Sequence, residues 1–278
     1  MTLGPVDPVA SPRDAFARTV RALEPYAEDV VLIGGWVHAL LLASVNDHVS
    51  AIYTDDIDIT IPRRLIAAGR PTLVELATEA GFEIDPLSDI PGSPIRLIVQ
   101  GPGGTVIDLD IMAEASTPHE AVRIDGQPDL AAQGYPGQQF LLDHAQWVAV
   151  GPDVHPLLDP PTRVRIPTVG AYVIHKGLSS ATRTRRAKVA KDLVYLYEIL
   201  RHPTLGHTAR AEIRELAAES AELVDQWAAH LSSVLGNEPT LREMASQLLL
   251  AGRTVGSEPD VIARMRAVLR LAVGEARA

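Results

Sequence analysis

Apolar positions follow two different rhythms along the chain. Up to about residue 150, short apolar runs and period-two stretches are mixed with a few helical ones; from 168 onward helical spacing takes over. In RDAFARTVRALE (13–24), Phe16, Val20 and Leu23 recur at helical intervals. Val30 to Ile33 is a short apolar run that predicts a buried strand, and Gly34-Gly35 lead from it into WVHALLLAS, a helix. Residues 52–61 predict a strand in which Ile57, Ile59 and Ile61 alternate with Asp56, Asp58 and Thr60. A helix is expected over 71–80, ending near Gly81. Strands are expected at 95–99 and 105–111, joined as a hairpin by QGPGG, and a short helix at about 137–147. Beyond 168 the spacing predicts helices at about 168–181, 186–201, 208–220, 221–234, 239–250 and 258–276.

Between the two rhythms lies GPDVHPLLDPPTRVRIP (151–167), which holds five of the 21 prolines. That density predicts a connector. The expected organisation is an α+β protein with an N-terminal mixed-sheet domain over 1–150, a connector over 151–167 and a helical bundle over 168–278.

Composition removes whole classes of chemistry. Absent cysteine excludes disulfides, thiolate zinc sites and thiol nucleophiles. The opening MTLGPVDPVASPRDAF lacks a basic stretch and a long apolar run, so no secretory leader is expected. No apolar run reaches about 18 residues, so no membrane partner is expected and a cytoplasmic location is. The net charge of −10 argues against a nucleic-acid partner until the chain is divided. Residues 1–150 carry 8 basic and 21 acidic side chains, whereas residues 151–278 carry 17 and 14. All three lysines, Lys176, Lys188 and Lys191, fall in the second part.

Three motifs carry candidate chemistry. In YTDDIDIT, Asp56 and Asp58 share one strand face, opposite Ile57 and Ile59. In TVIDLDIM, Asp108 and Asp110 do the same, opposite Ile107, Leu109 and Ile111. Either pair alone is compatible with a solvated acidic face. On antiparallel or adjacent strands, two such pairs are costly without a cation, and oxygen-only ligands select Mg²⁺ or Mn²⁺. The third motif is LIGGWVHALL, in which Gly34-Gly35 open a helix whose free N–H groups suit an anion. P-loop, H-E-x-x-H and G-x-S-x-G signatures are absent.

In this order, strand–Gly-Gly–helix, T-x-D-I-D and a further carboxylate strand, the chain resembles the DNA polymerase β-like nucleotidyltransferase superfamily. The resemblance implies that Asp56 and Asp58 hold two Mg²⁺ ions (Mn²⁺ is an alternative) and that Gly34 and Gly35 cradle the phosphates of an NTP. Asp108, or the competing Asp110, would ligate the second metal and help deprotonate an acceptor hydroxyl. The segment AYVIHKGLSSATRTRRAKVAKDLVYLYEIL further resembles the helical module of AbiEii-type nucleotidyltransferases, a group that includes toxins of toxin–antitoxin and phage-defence systems. By that resemblance Lys176, Arg183, Arg186, Lys191 and Asp192 bind the nucleotide, and Lys176 neutralises phosphate charge. The implied acceptor is RNA, with a tRNA 3′ end favoured, and the implied partner a cognate antitoxin. A small-molecule or protein acceptor is the alternative.

Read from spacing alone, Lys176 is either a lysine at the rim of the core or a phosphate ligand. The cluster Arg183, Arg185, Arg186, Lys188 and Lys191 is either a solvated helix start, with Lys188 paired to Asp192, or a phosphate contact. The sequence also departs from the family pattern. Ile52 and Tyr53 stand where relatives carry an arginine, Ala43 or Ser44 where they carry a glycine, and Tyr195 where they carry a second acid. These departures motivate a competing reading, a degenerate nucleotide-binding or antitoxin-like partner.

Overall fold

The computed structural model describes residues 9–47, 54, 56–85 and 93–277. Ile52, Tyr53 and Asp55, all in the stretch leading to the first carboxylate strand, lie outside the described residues. Contacts group the chain into two compact units, Met1–Val37 with Tyr53–Pro167, and His38–Ile52 with Thr168–Ala278.

The first unit is built on a mixed sheet. Its elements are α1 (Pro12–Ala22), β1 (Val31–Ile33), the start of α2 (Gly34–Ser44), β2 (Ile57–Thr60), α3 (Leu73–Glu79), β3 (Glu83–Ile84), β4 (Leu97–Gln100) and β5 (Val106–Glu114). Then come β6 (Ala121–Ile124), β7 (Gln127–Tyr135), α4 (Gln138–Asp143), β8 (Ala145–Val150) and β9 (Thr162–Pro167). Strand order is β3-β4-β5-β2-β1-β9-β8, and β7 joins the far end of β5 and carries β6. The alternation in the two Asp-rich strands is kept: Ile57, Ile59, Ile107, Leu109 and Ile111 are all 2% exposed or less. Burying each such side chain contributes roughly 1.5–3 kcal/mol, so a one-residue slip would forfeit the whole face.

Local signals explain most of the unit's helices. Ser11 caps α1 by accepting from the Asp14 N–H at 3.1 Å, with Pro12 in the first turn. Thr72 and Glu75 form a reciprocal capping box on α3. The predicted hairpin forms, with Val99 opposite Ile107 and Gln100 opposite Val106.

Elsewhere long-range pairing overrides local reading. The helix expected at 137–147 is only α4, because Ala145–Val150 is drawn into six pairs with β9. The proline-rich stretch 151–167 contains β9 itself, whose Arg165 lies beside Val31 of β1. Pro160 and Pro161 precede the strand and Pro167 ends it, which leaves its interior free to pair.

The second unit contains α5 (Val169–Thr182), α6 (Arg186–Arg201), α7 (Pro203–Glu219), α8 (Ala221–Gly236), α9 (Glu238–Leu250) and α10 (Glu258–Ala276). Each lies close to its predicted span, and α7 begins earlier because Pro203 occupies its first turn and His202 caps it. Tyr172, Tyr195, Trp227, Met244, Met265 and Leu269 fill the core. The Trp227 indole N–H is satisfied by donating to the Val173 carbonyl at 3.2 Å. Among the described residues no helix is long and apolar enough to cross a membrane.

Candidate functional site

The site in the first unit begins where β1 ends. Gly34 has φ +76°, and a methyl on it would meet Oδ2 of Asp58 at 1.8 Å. A methyl on Gly35 would meet the Thr54 side chain at 2.7 Å. The Gly-Gly pair is therefore required by two side chains pressed against the backbone at the start of α2. That closeness also puts the Asp58 carboxylate at a helix N-terminus, where the helix dipole favours negative charge.

The two Asp-bearing strands lie side by side and parallel, with Asp58 directly opposite Asp110. Asp56 and Asp108 each lie two residues earlier on the same face as their partners. The four carboxylates act on one another. Burial first, then the charges of Asp58, Asp108 and Asp56, push the Asp110 carboxyl up to about 7, with Arg96 opposing. The donor chemistry of this face, carboxylate oxygens alone, is of the kind that suits Mg²⁺ or Mn²⁺. Among the described residues no group of three or more carboxylate or imidazole side chains forms a ready-made metal cluster.

Arg96 offsets part of that charge. Its Nη2 lies 2.7 Å from Oδ1 of Asp108 and its Nη1 3.0 Å from Oδ2 of Asp85. The ion pair with Asp108, helped by the charges of Asp85 and Asp110, raises the arginine's pKa despite burial. Neither Arg96 nor Asp85 stood out in the sequence, although the hairpin contained the signal. Pairing Leu97 with Leu109 and Ile98 with Asp108 puts Arg96 on the Asp face when the register is carried back.

The basic residues singled out in the sequence belong to the second unit. Lys176, 5% exposed, pairs through Nζ with Oδ1 of Asp192 at 3.1 Å. The other oxygen of Asp192 takes Nε of Arg183, also at 3.1 Å. Asp192 thus pairs with these two cations, where helical spacing pointed to Lys188, which is exposed at the start of α6. Burial alone would raise the Asp192 pKa, but Lys176 and Arg183 bring it below the ordinary value. Nζ of Lys176 lies 5.9 and 5.8 Å from the ring centres of Tyr172 and Tyr195, and Nζ of Lys191 is also 5.8 Å from Tyr195. His175 stays neutral, its pKa driven down to about 3 by burial and then by Lys176. Arg186 is exposed.

Another buried set in this unit escaped the sequence reading. Glu198 joins His38, whose Nε2 is 3.1 Å from Oε2, to Arg253, whose Nε is 2.7 Å from Oε1. His38 stacks on Tyr195 at 4.3 Å, and burial lowers its pKa. Glu198 and Arg253 are 55 residues apart, and no local pattern joins them.

Comparison with known proteins adds little to the side chains. No family model matches the chain, and no curated protein matches it. Among solved structures, an antigenic nucleotidyltransferase-like protein from Paracoccidioides brasiliensis is similar, at 16% identity and a TM-score of 0.35. The alignment covers 79% of this chain and 94% of that one. At so low a TM-score the likeness carries no argument about the site, and the functional reading rests on the residues.

Proposed function

We propose that this chain is a divalent-metal-dependent nucleotidyltransferase, moving a nucleoside monophosphate from an NTP to an acceptor hydroxyl. The observation that carries this reading is the in-register pair Asp58–Asp110, on adjacent parallel strands beside the Gly34-Gly35 helix start. Two carboxylate pairs on one face are disfavoured as plain structure, and the Gly-Gly backbone offers an anion site next to them.

Asp56, Asp58 and Asp110 would hold Mg²⁺ or Mn²⁺ through their carboxylate oxygens, with Asp108, which pairs with Arg96, as the further candidate donor. The bound metal supplies charge neutralisation of the triphosphate and polarisation of its α-phosphorus. Backbone N–H groups at Gly34 and Gly35 bind phosphate oxygens. The acceptor oxygen bonds to the α-phosphorus while the bond to the bridging oxygen breaks, and pyrophosphate leaves with that electron pair. The hydroxyl proton passes to the carboxylate of Asp110 or Asp108.

RNA is the acceptor class we favour, from the AbiEii resemblance and the basic second half of the chain. A tRNA 3′ end and a toxin role are the narrower form of the same proposal. The test incubates the protein with each α-labelled NTP, Mg²⁺ or Mn²⁺, and total RNA. Label in RNA with release of pyrophosphate is expected. Intact protein that transfers no label to RNA, protein or small molecules under either metal would overturn the reading.

A second reading has its own observation. Arg96 already neutralises Asp108, which favours a nucleotide-binding protein that does not turn over. Such a protein would bind NTP and release no pyrophosphate, and Arg96→Gln would not increase the rate.

A further inference from the structure

The helical unit contains a cavity of about 440 Å³, within the range of small-molecule sites. Leu42, Tyr197 and Val268 give it an apolar wall. Arg201, Arg253 and Arg264 give it a cationic one, and Glu198 and Asp47 also line it. Every one of these residues belongs to the second unit.

Arg253 makes this more than a gap between helices. The residue is 6% exposed, and its Nη1 is buried without a hydrogen-bond partner. An unpaired donor on a buried charged group is costly and rare, and it marks a place for an acceptor. The guanidinium is held in place: Nε donates to Oε1 of Glu198 at 2.7 Å, and the other oxygen of Glu198 faces His38 at 3.1 Å. Its backbone is held as well, since the Arg253 carbonyl accepts from Nη2 of Arg201 at 3.3 Å. Arg264 is anchored through Nη2 to Oγ1 of Thr254 at 3.0 Å and to the Val255 carbonyl. His202 and Pro203, at the start of α7, also line the cavity.

The lining therefore sets three guanidinium groups against two carboxylates, Glu198 and Asp47. A rigid arginine donor beside two more arginines suits a phosphate, which accepts forked N–H bonds. An adjoining apolar wall suits a flat or aliphatic body attached to that phosphate.

We propose that this cavity binds a small phosphomonoester. Its phosphate oxygens accept from the cationic wall of Arg201, Arg253 and Arg264, and its apolar body rests on Leu42, Tyr197 and Val268. The Asp-lined strands take no part, so this site and the proposed transferase activity stand or fall separately. A free nucleotide and the 5′ end of an RNA strand present the same group.

The experiment titrates the full chain in EDTA, which removes divalent cations, with inorganic phosphate, the four nucleoside 5′-monophosphates and a 5′-phosphorylated tetraribonucleotide. Calorimetry and the shift in Tm are read together. Saturable binding of a monophosphate, tighter than inorganic phosphate, is expected, and preference for the tetranucleotide would identify a strand end as the source. Losing one charge-assisted contact in Arg264→Gln or Arg253→Lys should weaken binding by about tenfold or more. Asp58→Asn should leave it unchanged. Arg253→Lys keeps a cation for Glu198; if that variant does not fold, the exposed Arg264 still decides the matter. Failure of every probe to bind saturably, or equal affinity in wild type and the arginine variants, would overturn the proposal.

Discussion

The charged clusters of the two units are balanced differently. In the second, Asp192 is matched by Lys176 and Arg183, and Glu198 by Arg253. In the first, the buried acids Asp14 and Asp85 are likewise paired, with Arg18 and Arg96, but the half-buried Asp56, Asp58, Asp108 and Asp110 share a face, and of the charges that act on Asp110 Arg96 is the one that opposes its rise to about 7. Matched charges hold a core in one arrangement, and removing a partner exposes a large penalty. Like charges kept together are costly in the folded chain by itself, and this cost is why we propose a counter-ion from outside. The contrast separates scaffold from candidate chemistry more sharply than the acidic and basic halves of the sequence do.

Asp58→Asn should give the largest effect, an activity loss on the order of 10³-fold or more at nearly unchanged stability, the scale on which a catalytic group acts. Label transfer and urea unfolding measure the two sides. Asp192→Asn should invert that result. With Lys176 and Arg183 left facing a neutral group, stability should fall by about 3–5 kcal/mol in urea unfolding. If Asp192→Asn is neutral in stability, the comparison breaks.

Asp110→Asn should sharpen it through pH. With the folded carboxyl at about 7 and its ordinary value at 3.8, the folded chain holds an extra proton between those values. Wild-type stability from this group therefore falls as pH rises through that window, and the asparagine variant escapes the loss. In EDTA the variant should gain roughly 1–3 kcal/mol over wild type at pH 8 and nearly nothing at pH 4, the range allowing for solvent near the group. Tm at the two pH values checks it. The smallest effect belongs to Arg186→Gln at an exposed position. Stability should move by less than about 0.5 kcal/mol. RNA affinity should fall a few-fold, with the salt slope reduced by about 1.

The period-two stretches placed the carboxylates on one face of β2 and β5, and the Gly-Gly junction placed the turn into α2. Periodicity also gave all six helices of the second unit, because each buries a stripe that recurs locally. What it lacked was partner identity. That β2 and β5 run parallel, that Arg96 meets Asp108, and that β8 and β9 form where a helix and a connector were expected all depend on pairing between distant segments. The same holds for Glu198 and Arg253. A lysine on an apolar helix face was visible at Lys176, but its commitment to Asp192 was not.

The most direct measurement titrates Mg²⁺, in the presence of a non-hydrolysable NTP, into wild type, Asp58→Asn and Asp110→Asn by calorimetry. If the carboxylate face awaits a divalent cation, wild type gives a saturable metal-dependent signal that both variants lose while remaining folded. Identical titrations for all three proteins would contradict the account.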